Sequence, residues 1–220
     1  MNKKFEVLVF DWDGTLMDSE AHIVACMDFA IREHGIEPAP AQQLKRVIGL
    51  GLNEAVADLL PEYQQSLHTK VADTYRDRFF SEKTAQSGLF PGVESTLQAL
   101  HSEGYLLAVA TGKSRRGLDK ALAETGLEEL FTAIRCADET SSKPDPQMLN
   151  EIKSEIDVTA GQMLMIGDTE FDLQMAVNAG VLSIGVSYGV HEPEQLQKYK
   201  PLTILDRIAE LPEWLVSPDE

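Results

Sequence analysis

The fold is decided by one stretch near the start of the chain, Val7-Leu8-Val9-Phe10-Asp11-Trp12-Asp13-Gly14-Thr15. Its apolar half belongs to a run over residues 5–10 that predicts a buried parallel strand. Asp11 and Asp13 follow one residue apart, and Gly14 allows a sharp turn. Ligands of open α/β sheets bind at the carboxyl edge of such strands. Because adjacent carboxylates repel, a metal ion or a shared proton is expected beside them.

The same acidic stretch is also compatible, at first sight, with a calcium loop. An EF-hand loop requires glycine at position 6 and glutamate at position 12. Counted from Asp11, glycine falls at position 4 and His22 at position 12, so this alternative fails. We therefore interpret the stretch as the nucleophile loop of a phosphoryl-transfer site.

The composition is that of an ordinary globular protein. The chain has 220 residues, 43% of them hydrophobic, and a net charge of −17 that argues against binding to nucleic acid or anionic membranes. Cys26 and Cys136 lack regular spacing and are expected to be reduced and buried. No apolar run is long enough for a secretory signal or a membrane span, so we expect a cytoplasmic protein.

The region after the acidic stretch predicts a small all-helical lobe. Residues 19–87 contain no convincing strand, and apolar residues at helical spacing predict three helices. The first ends at Gly35, the second has Asn53 as its N-cap, and the third spans residues 67–79. Because this lobe directly follows the acidic loop, we expect it to lie over the site.

Strand–helix alternation returns after Pro91-Gly92. Strands are predicted over residues 105–110, 131–136, 163–166, 181–186 and 202–205. Such repeated units predict an α/β fold with a parallel sheet and right-handed crossovers. The strand ends at Asp11/Asp13, Thr111 and Asp168 should therefore meet at one edge.

Asp168 and Asp172 are candidate metal ligands. They lie four residues apart at a predicted strand end and helix start, where like charges are mildly destabilising unless something compensates them. A divalent cation would do so, and simple helix capping is the alternative. Since carboxylates are hard ligands and no His or Cys is nearby in sequence, Mg²⁺ is favoured over Zn²⁺.

Lys143 and the Thr111-Gly112 pair are candidate anion ligands. Lys143 precedes Pro144, which favours extended backbone, and a lysine fixed before a helix can bridge a carboxylate and a phosphate. An ordinary surface lysine is the alternative. The hydroxyl and amides of Thr111-Gly112 suit an anion, although such turns are common without one.

The expected charges balance only if these groups act together. Four ionised carboxylates carry about −4, of which Mg²⁺ and Lys143 cancel about three. Protonation of Asp13 would cancel the last. A phosphate dianion could then approach a site inside an acidic protein.

Taken in order, these motifs resemble the four motifs of the haloacid dehalogenase superfamily. They are Asp11-Trp-Asp-Gly-Thr, the strand-end Thr111, Lys143-Pro-Asp-Pro and Gly167-Asp-Thr-Glu-Phe-Asp172. The helical insertion resembles the cap of subfamily IA. The loops at residues 47–51 and 187–189 are similar to those of phosphoglycolate phosphatases. The resemblance implies a Rossmann-like core over residues 1–16 and 88–220 and an all-helical cap domain over 17–87.

The resemblance also implies a role for each site residue. Asp11 would be the nucleophile that forms an aspartyl-phosphate, and Asp13 the general acid and then the general base. Lys143 is the third catalytic residue. The implied Mg²⁺ ligands are Asp11, Asp13 through its backbone carbonyl, Asp168, and Asp172 directly or through water. The implied phosphate ligands are Thr111, Gly112 and Lys143.

Substrate contacts are expected from the cap, with Arg46, Gly49 and Asn53 as candidates; Arg46 could equally be a solvated helix residue. Asp13 distinguishes the chain from the dehalogenases of the superfamily, which lack an acid there, and favours cleavage of phosphomonoesters. Trp12 replaces the smaller apolar residue usual in the family, and we expect it to point into the core.

We therefore expect an Mg²⁺-dependent phosphatase acting on a small phosphorylated metabolite similar to phosphoglycolate. A phosphomutase of the β-phosphoglucomutase type and an inactive binding or regulatory protein on the same fold are the alternatives. We expect no nucleic-acid or membrane partner, and a monomer or weak dimer.

Overall fold

The computed structural model describes residues 4–63, 65–81 and 87–216. The extreme ends of the predicted core and residues 64 and 82–86 of the predicted cap lie outside this description. In chain order, the first half contains β1 (Val7–Phe10), β2 (Met17–Asp18), α1 (Glu20–Glu33), α2 (Ala41–Arg46), α3 (Leu52–Leu59), α4 (Gln65–Ser81), β3 (Gly88–Leu89), α5 (Val93–Ser102) and β4 (Leu106–Thr111). The second half contains α6 (Arg115–Thr125), β5 (Phe131–Cys136), α7 (Gln147–Ile156), β6 (Met163–Gly167), α8 (Glu170–Ala179), β7 (Leu182–Val186), α9 (Pro193–Leu196), β8 (Ile204–Leu205) and α10 (Leu211–Val216).

The core is a six-stranded parallel sheet with the order β5-β4-β1-β6-β7-β8. The predicted α/β class with a parallel sheet is confirmed. β1 lies between β4 and β6, and its burial on both faces explains why it is apolar throughout. The amide of Asp11 still donates to the carbonyl of Ile166, at 3.0 Å, so the acidic loop begins in register with the end of β6.

Two apolar clusters cover the faces of this sheet. One includes Phe10, Trp12 and Leu107, and the other includes Val9, Ala108 and Met165. Trp12 is fully buried and its ring meets Phe131 edge to face, with centroids 6.2 Å apart. The expected inward direction of Trp12 is therefore confirmed, and the two flanking carboxylates are left at the sheet edge.

Helices α1 to α4 form a unit that we call the helical insert, residues 20–81. It has an apolar cluster of its own, which includes Met27, Ile31 and Val71. The chain enters and leaves the insert through an antiparallel pair in which Met17 faces Leu89. The insert is therefore joined to the sheet by two adjacent strands, a connection that can act as a hinge.

The insert differs in two details from the sequence-based expectation. It has a fourth helix, α2, which follows two prolines and is only six residues long. A helix this short does not show a helical period of apolar residues in the sequence. Asn53 is not the N-cap of the next helix, because α3 begins at Leu52 with Gly51 as the N-cap. Gly35 does follow the end of α1 with φ of +72°, as expected.

Both cysteines, Cys26 and Cys136, are buried and unbridged, as expected. Within the described part of the chain, none of the helices combines the length and the apolarity needed to cross a membrane.

Candidate active site

The carboxyl ends of β1, β4 and β6 bring the predicted site residues together. These strands are neighbours in the sheet; Thr111 is the last residue of β4, and Asp11 and Asp168 directly follow β1 and β6. Every predicted catalytic, phosphate-binding and metal-binding side chain is buried: Asp11, Asp13, Thr111, Lys143, Asp168 and Asp172. Because charged side chains are rarely buried unless they are paired or bind a ligand, this edge is the candidate active site.

Lys143 lies between two carboxylates. Its ammonium group is 2.8 Å from Oδ1 of Asp11 and 2.6 Å from Oδ1 of Asp172, and its side chain has no exposed surface. Burial opposes the charged form of Lys143, but the two carboxylates outweigh it and hold the pKa of the lysine above its ordinary value. The alternative of an ordinary surface lysine is therefore excluded.

Asp11 has the least satisfied carboxylate of the site. Among the described residues its Oδ2 has no hydrogen-bond donor, although the atom is buried. Burial raises the pKa of Asp11 from 3.8 to about 7, against the attraction of Lys143 and with a further rise from the charge of Asp172. A buried carboxylate oxygen without a donor is suited to a ligand that the protein itself does not supply.

Asp168 is held in place by groups from two different loops. The hydroxyl of Thr15 donates to its Oδ1 at 2.7 Å, and the amide of Val190 donates to its Oδ2 at 2.9 Å. Gly14 and Gly189 lie so close that a Cβ on either would collide with this carboxylate. Burial and the charges of Asp11 and Asp172 raise the pKa of Asp168 well above its ordinary value.

Asp172 has a structural role that the sequence left open. Its Oδ2 accepts hydrogen bonds from the amide and hydroxyl of Thr169, at 3.0 and 2.6 Å, and so completes a capping box at the start of α8. Its Oδ1 holds Lys143. Capping and charge pairing therefore occur together, because the two oxygens face different partners.

Three of these carboxylates fit a metal ion. Asp11, Asp168 and Asp172 each offer a buried oxygen, and the three oxygens lie within 4.8 Å of one another. Hard oxygen donors of this kind suit Mg²⁺. The side chain of Asp13 does not belong to this group of three, and the expected contribution of its backbone carbonyl stays a prediction.

Lys113 is a site residue that the sequence reasoning missed. Its ammonium lies 2.9 Å from both carboxylate oxygens of Asp13, whose Oδ1 also accepts from Ser19 at 2.6 Å. The charge balance expected from the sequence did not include this lysine, whose ammonium places a positive charge beside Asp13. A signal was available, because Lys113 immediately follows the Thr111-Gly112 pair.

A cavity of about 260 Å³ lies between the helical insert and this edge of the sheet, and we call it the insert–core cavity. Its floor contains Asp11, Asp13, Thr111 and Gly112, and its walls come mainly from α1, α3, α4 and the loop at residues 47–51. The Thr111-Gly112 pair therefore faces a space in which a phosphoryl group could sit.

The loop at residues 47–51 closes tightly over the core. A Cβ on Gly112 would lie 2.5 Å from the carbonyl oxygen of Gly49, and one on Gly49 would lie 2.9 Å from the hydroxyl of Thr169. Gly49 also has φ of +101°, a conformation that favours glycine. The amide of Gly51 donates to the hydroxyl of Ser142 at 2.8 Å. The close contact between the insert and the core thus depends on glycines at both surfaces.

The three candidate substrate contacts lie in different places. Gly49 and Asn53 line the insert–core cavity. The side chain of Arg46 is not brought there: it is 58% exposed and forms an ion pair with Asp58 at 2.7 Å, so it is a solvated helix residue. The cavity instead contains Arg76, which donates to Oδ1 of Asn53 at 3.2 Å.

Comparison with known proteins identifies the family. The model of the haloacid dehalogenase-like hydrolases matches residues 8–186, and the chain belongs to this family. The hydrolase class and fold implied by the resemblance are thereby confirmed.

Individual relatives cover almost the whole chain. The chain is 31% identical over 218 residues to a phosphoglycolate phosphatase of Vibrio cholerae, covering 95% of this chain and 96% of the relative. It is 32% identical over 209 residues to a Dickeya dadantii protein named "Probable phosphatase IndB", covering 93% and 91%. Among solved structures, that of a predicted phosphatase from Clostridium acetobutylicum matches with a TM-score of 0.87 and 25% identity, covering 96% of this chain and 98% of that one.

Proposed function

We propose that the protein is an Mg²⁺-dependent phosphatase that hydrolyses a small, phosphoglycolate-like phosphomonoester through an aspartyl-phosphate on Asp11. The observation that carries this proposal is the carboxylate of Asp11, which is buried beside Lys143, has one oxygen without a donor among the described residues, and faces the insert–core cavity. The relatives named phosphoglycolate phosphatase support the substrate class.

Mg²⁺ would be held by Asp11, Asp168 and the backbone carbonyl of Asp13. When bound, it neutralises charge on the phosphoryl oxygens and on the carboxylates around them. We assign Asp172 a role through water or through Lys143, because its Oδ1 is paired with the ammonium of Lys143, a cation that competes with a metal ion, and its Oδ2 caps α8. Its contact with Lys143 orients the ammonium toward the phosphoryl group.

In the first step, an oxygen of Asp11 attacks phosphorus while the bond from phosphorus to the ester oxygen breaks. Asp13 gives a proton to the departing alkoxide. Thr111, the amide of Gly112 and the ammonium of Lys143 bind the phosphoryl oxygens, on which negative charge is spread in the transition state. Two displacements of lower barrier replace a single direct attack by water.

In the second step, Asp13 takes a proton from a water molecule that attacks phosphorus. The bond to Asp11 breaks, and inorganic phosphate is released with Asp11 restored. Lys113 and Ser19 hold Asp13 at the cavity floor through both steps.

We further propose that residues 17–87 form a cap domain that opens for substrate entry and closes to exclude water. The antiparallel β2–β3 pair would be its hinge, and the contacts of Gly49 with Gly112 and Thr169 would define its closed state. The core domain would then comprise residues 1–16 and 88–220.

The proposal is tested by measuring phosphate release from 2-phosphoglycolate with Mg²⁺ and with excess EDTA. We expect metal-dependent turnover with kcat/KM above roughly 10⁴ M⁻¹s⁻¹. Asp11→Asn should abolish it, whereas Asp119→Asn, at a side chain that is 59% exposed on α6, should not. Equal release with EDTA, or full activity of Asp11→Asn, would contradict the mechanism.

The phosphomutase alternative makes a different prediction. A mutase of the β-phosphoglucomutase type would depend on a sugar bisphosphate, and the phosphoryl group would return to a sugar. Relatives that match most of the chain are named as phosphatases, and this favours hydrolysis.

A further inference from the structure

We infer that the preferred substrate has an apolar, ring-sized body next to its phosphate and a carboxylate or similar anion at the far end of that body. This inference rests on the proposed function and concerns the leaving group alone: it keeps the anionic end of a phosphoglycolate-like substrate and enlarges the body between that end and the phosphate. It is drawn from the side chains that line the insert–core cavity.

The cavity is larger than a glycolate group requires. Its volume is about 260 Å³. One water molecule needs only ~10–15 Å³, so the cavity has room for a much larger group. Its walls above the acidic floor are mainly apolar, with side chains from α1, α4 and the loop before α3. They include Ile23, Met27, Leu50, Tyr75, Phe79 and Phe80. Apolar walls favour an apolar leaving group, because burial of apolar surface contributes roughly 25 cal/mol per Å².

The aromatic wall has a shape that suits a ring. Tyr75 and Phe79 are stacked with centroids 5.7 Å apart, and Phe79 meets Phe80 edge to face at 5.6 Å. All three side chains are only half-buried, so part of each ring remains available. The ammonium of Lys113 lies 4.9 Å from the centroid of Phe79, which places this ring beside Asp13 and hence beside the leaving oxygen.

Arg76 provides the second recognition element. The C-terminal end of α4 touches the core, since the guanidinium of Arg116 lies 4.1 Å from the centroid of Phe80. Arg76 precedes Phe80 by four residues, which is about 6 Å farther along the helix. The Cα of Arg76 is therefore about 6 Å farther along α4 from this contact than that of Phe80, and its guanidinium is held against Asn53 of α3.

Arg76 has donors to spare. One terminal nitrogen donates to Asp73 at 2.7 Å and the other to Oδ1 of Asn53 at 3.2 Å, out of five N–H groups that a guanidinium offers. Among the described residues that line the cavity, the cations are Lys113 and Arg76. Both cations are paired with an aspartate, Lys113 with two oxygens of Asp13 and Arg76 with one oxygen of Asp73. The guanidinium of Arg76 keeps further N–H groups, and with these it can bind an anionic end of the leaving group.

Three synthetic phosphomonoesters test this inference separately from the proposed function. Ethyl phosphate has a small apolar leaving group, benzyl phosphate adds a ring, and 4-carboxybenzyl phosphate adds a carboxylate beyond the ring. All three release a primary alkoxide. With Mg²⁺, we expect kcat/KM to rise by at least about tenfold from the first to the second and again by about tenfold to the third, as expected for added apolar and ionic contacts.

Two variants assign these gains to residues. Phe79→Ala should reduce the ratio of kcat/KM for benzyl phosphate to that for ethyl phosphate to below about threefold. Arg76→Gln should reduce the ratio of kcat/KM for 4-carboxybenzyl phosphate to that for benzyl phosphate to below about threefold. Phe29→Ala and Arg32→Gln are matched controls on α1, outside the cavity lining, and should retain both ratios. Ratios measured on one preparation are independent of the folded fraction.

Two results would overturn the inference and leave the phosphatase proposal intact. One is a kcat/KM for benzyl phosphate that does not exceed the value for ethyl phosphate. The other is a carboxybenzyl-to-benzyl ratio of kcat/KM that is unchanged in Arg76→Gln. Hydrolysis of 2-phosphoglycolate at a higher kcat/KM than 4-carboxybenzyl phosphate would also overturn it. No Mg²⁺-dependent release from any of these esters would instead overturn the proposed function, and this inference with it.

Discussion

Replacing Asp11 by asparagine is expected to stabilise the metal-free protein while it abolishes activity. Burial raises the pKa of Asp11 from 3.8 to about 7, so the ionised carboxylate destabilises the folded state when no cation other than Lys143 is near. The folded pKa lies about 3 above the unfolded one, and each pKa unit corresponds to about 1.36 kcal/mol. Ionised Asp11 therefore costs on the order of 4 kcal/mol at pH 8.

The sign of the pH dependence follows from proton binding. Between about pH 4 and pH 7 the folded state binds more protons at Asp11 than the unfolded state does, so stability falls as the pH rises through this window. At pH 5 the cost is only about 2 kcal/mol. The advantage of Asp11→Asn over the natural protein should thus be about 2 kcal/mol larger at pH 8 than at pH 5.

Urea unfolding in EDTA at these two pH values measures the effect. Asp119→Asn is the matched control, because it removes an exposed carboxylate and should show no such change. Added Mg²⁺ should raise the free energy of unfolding of the natural protein and not that of Asp11→Asn, since a ligand stabilises only the state that binds it. An Asp11→Asn protein that is less stable than the natural protein at pH 8, or whose stability advantage is the same at both pH values, would show that the ionised carboxylate of Asp11 does not destabilise the fold.

Three further perturbations test other parts of the site. Lys113→Met should lower kcat by at least about tenfold, because Asp13 loses the cation that positions it; steady-state assays in which kcat stays unchanged would exclude this role. Gly112→Ala places a Cβ 2.5 Å from the carbonyl of Gly49, so kcat/KM should fall at least about tenfold with an unaltered far-UV circular dichroism spectrum; full activity would mean that this closed contact is not needed. Burial lowers the pKa of His191, whose ring accepts a hydrogen bond from the amide of Glu170. Below about pH 6.5 the unfolded state therefore gains a proton at this residue before the folded state does, and the natural protein should lose stability as the pH falls. Thermal melts of His191→Gln between about pH 7.5 and 5.5 should show a smaller loss, and an equal loss in both proteins would contradict the assignment.

The parts of this fold that could be predicted are those with a local signal. The strands of the core are short apolar runs that end in polar residues, and parallel pairing brings such ends together, so Asp11, Thr111 and Asp168 could be placed at one edge. Lys143 could be predicted as an anion ligand because Pro144 follows it and restricts its backbone. The helix α2 could not, because six residues do not complete two helical turns.

The parts that escaped prediction depend on contacts between distant segments. Lys113 and Asp13 are 100 residues apart, and nothing local to either indicates their pairing. Asn53 has the residue type of an N-cap, yet Gly51 takes that position because its amide is bonded to Ser142 across the insert–core boundary. Arg76 lies on α4, and tertiary packing sets which side of this helix faces the core. The sequence therefore indicates Arg46, not Arg76, as a candidate substrate contact.

The central claim is that Asp11 becomes phosphorylated during turnover, and trapping that intermediate tests it most directly. The variant Asp13→Asn would be mixed with Mg²⁺ and 4-nitrophenyl phosphate, whose leaving group needs no proton, so that the first step proceeds and the second is slowed. After acid quench and proteolysis, we expect a peptide containing Asp11 that has gained the mass of one phosphoryl group. No labelled peptide despite release of 4-nitrophenol, or a label on any residue other than Asp11, would contradict it.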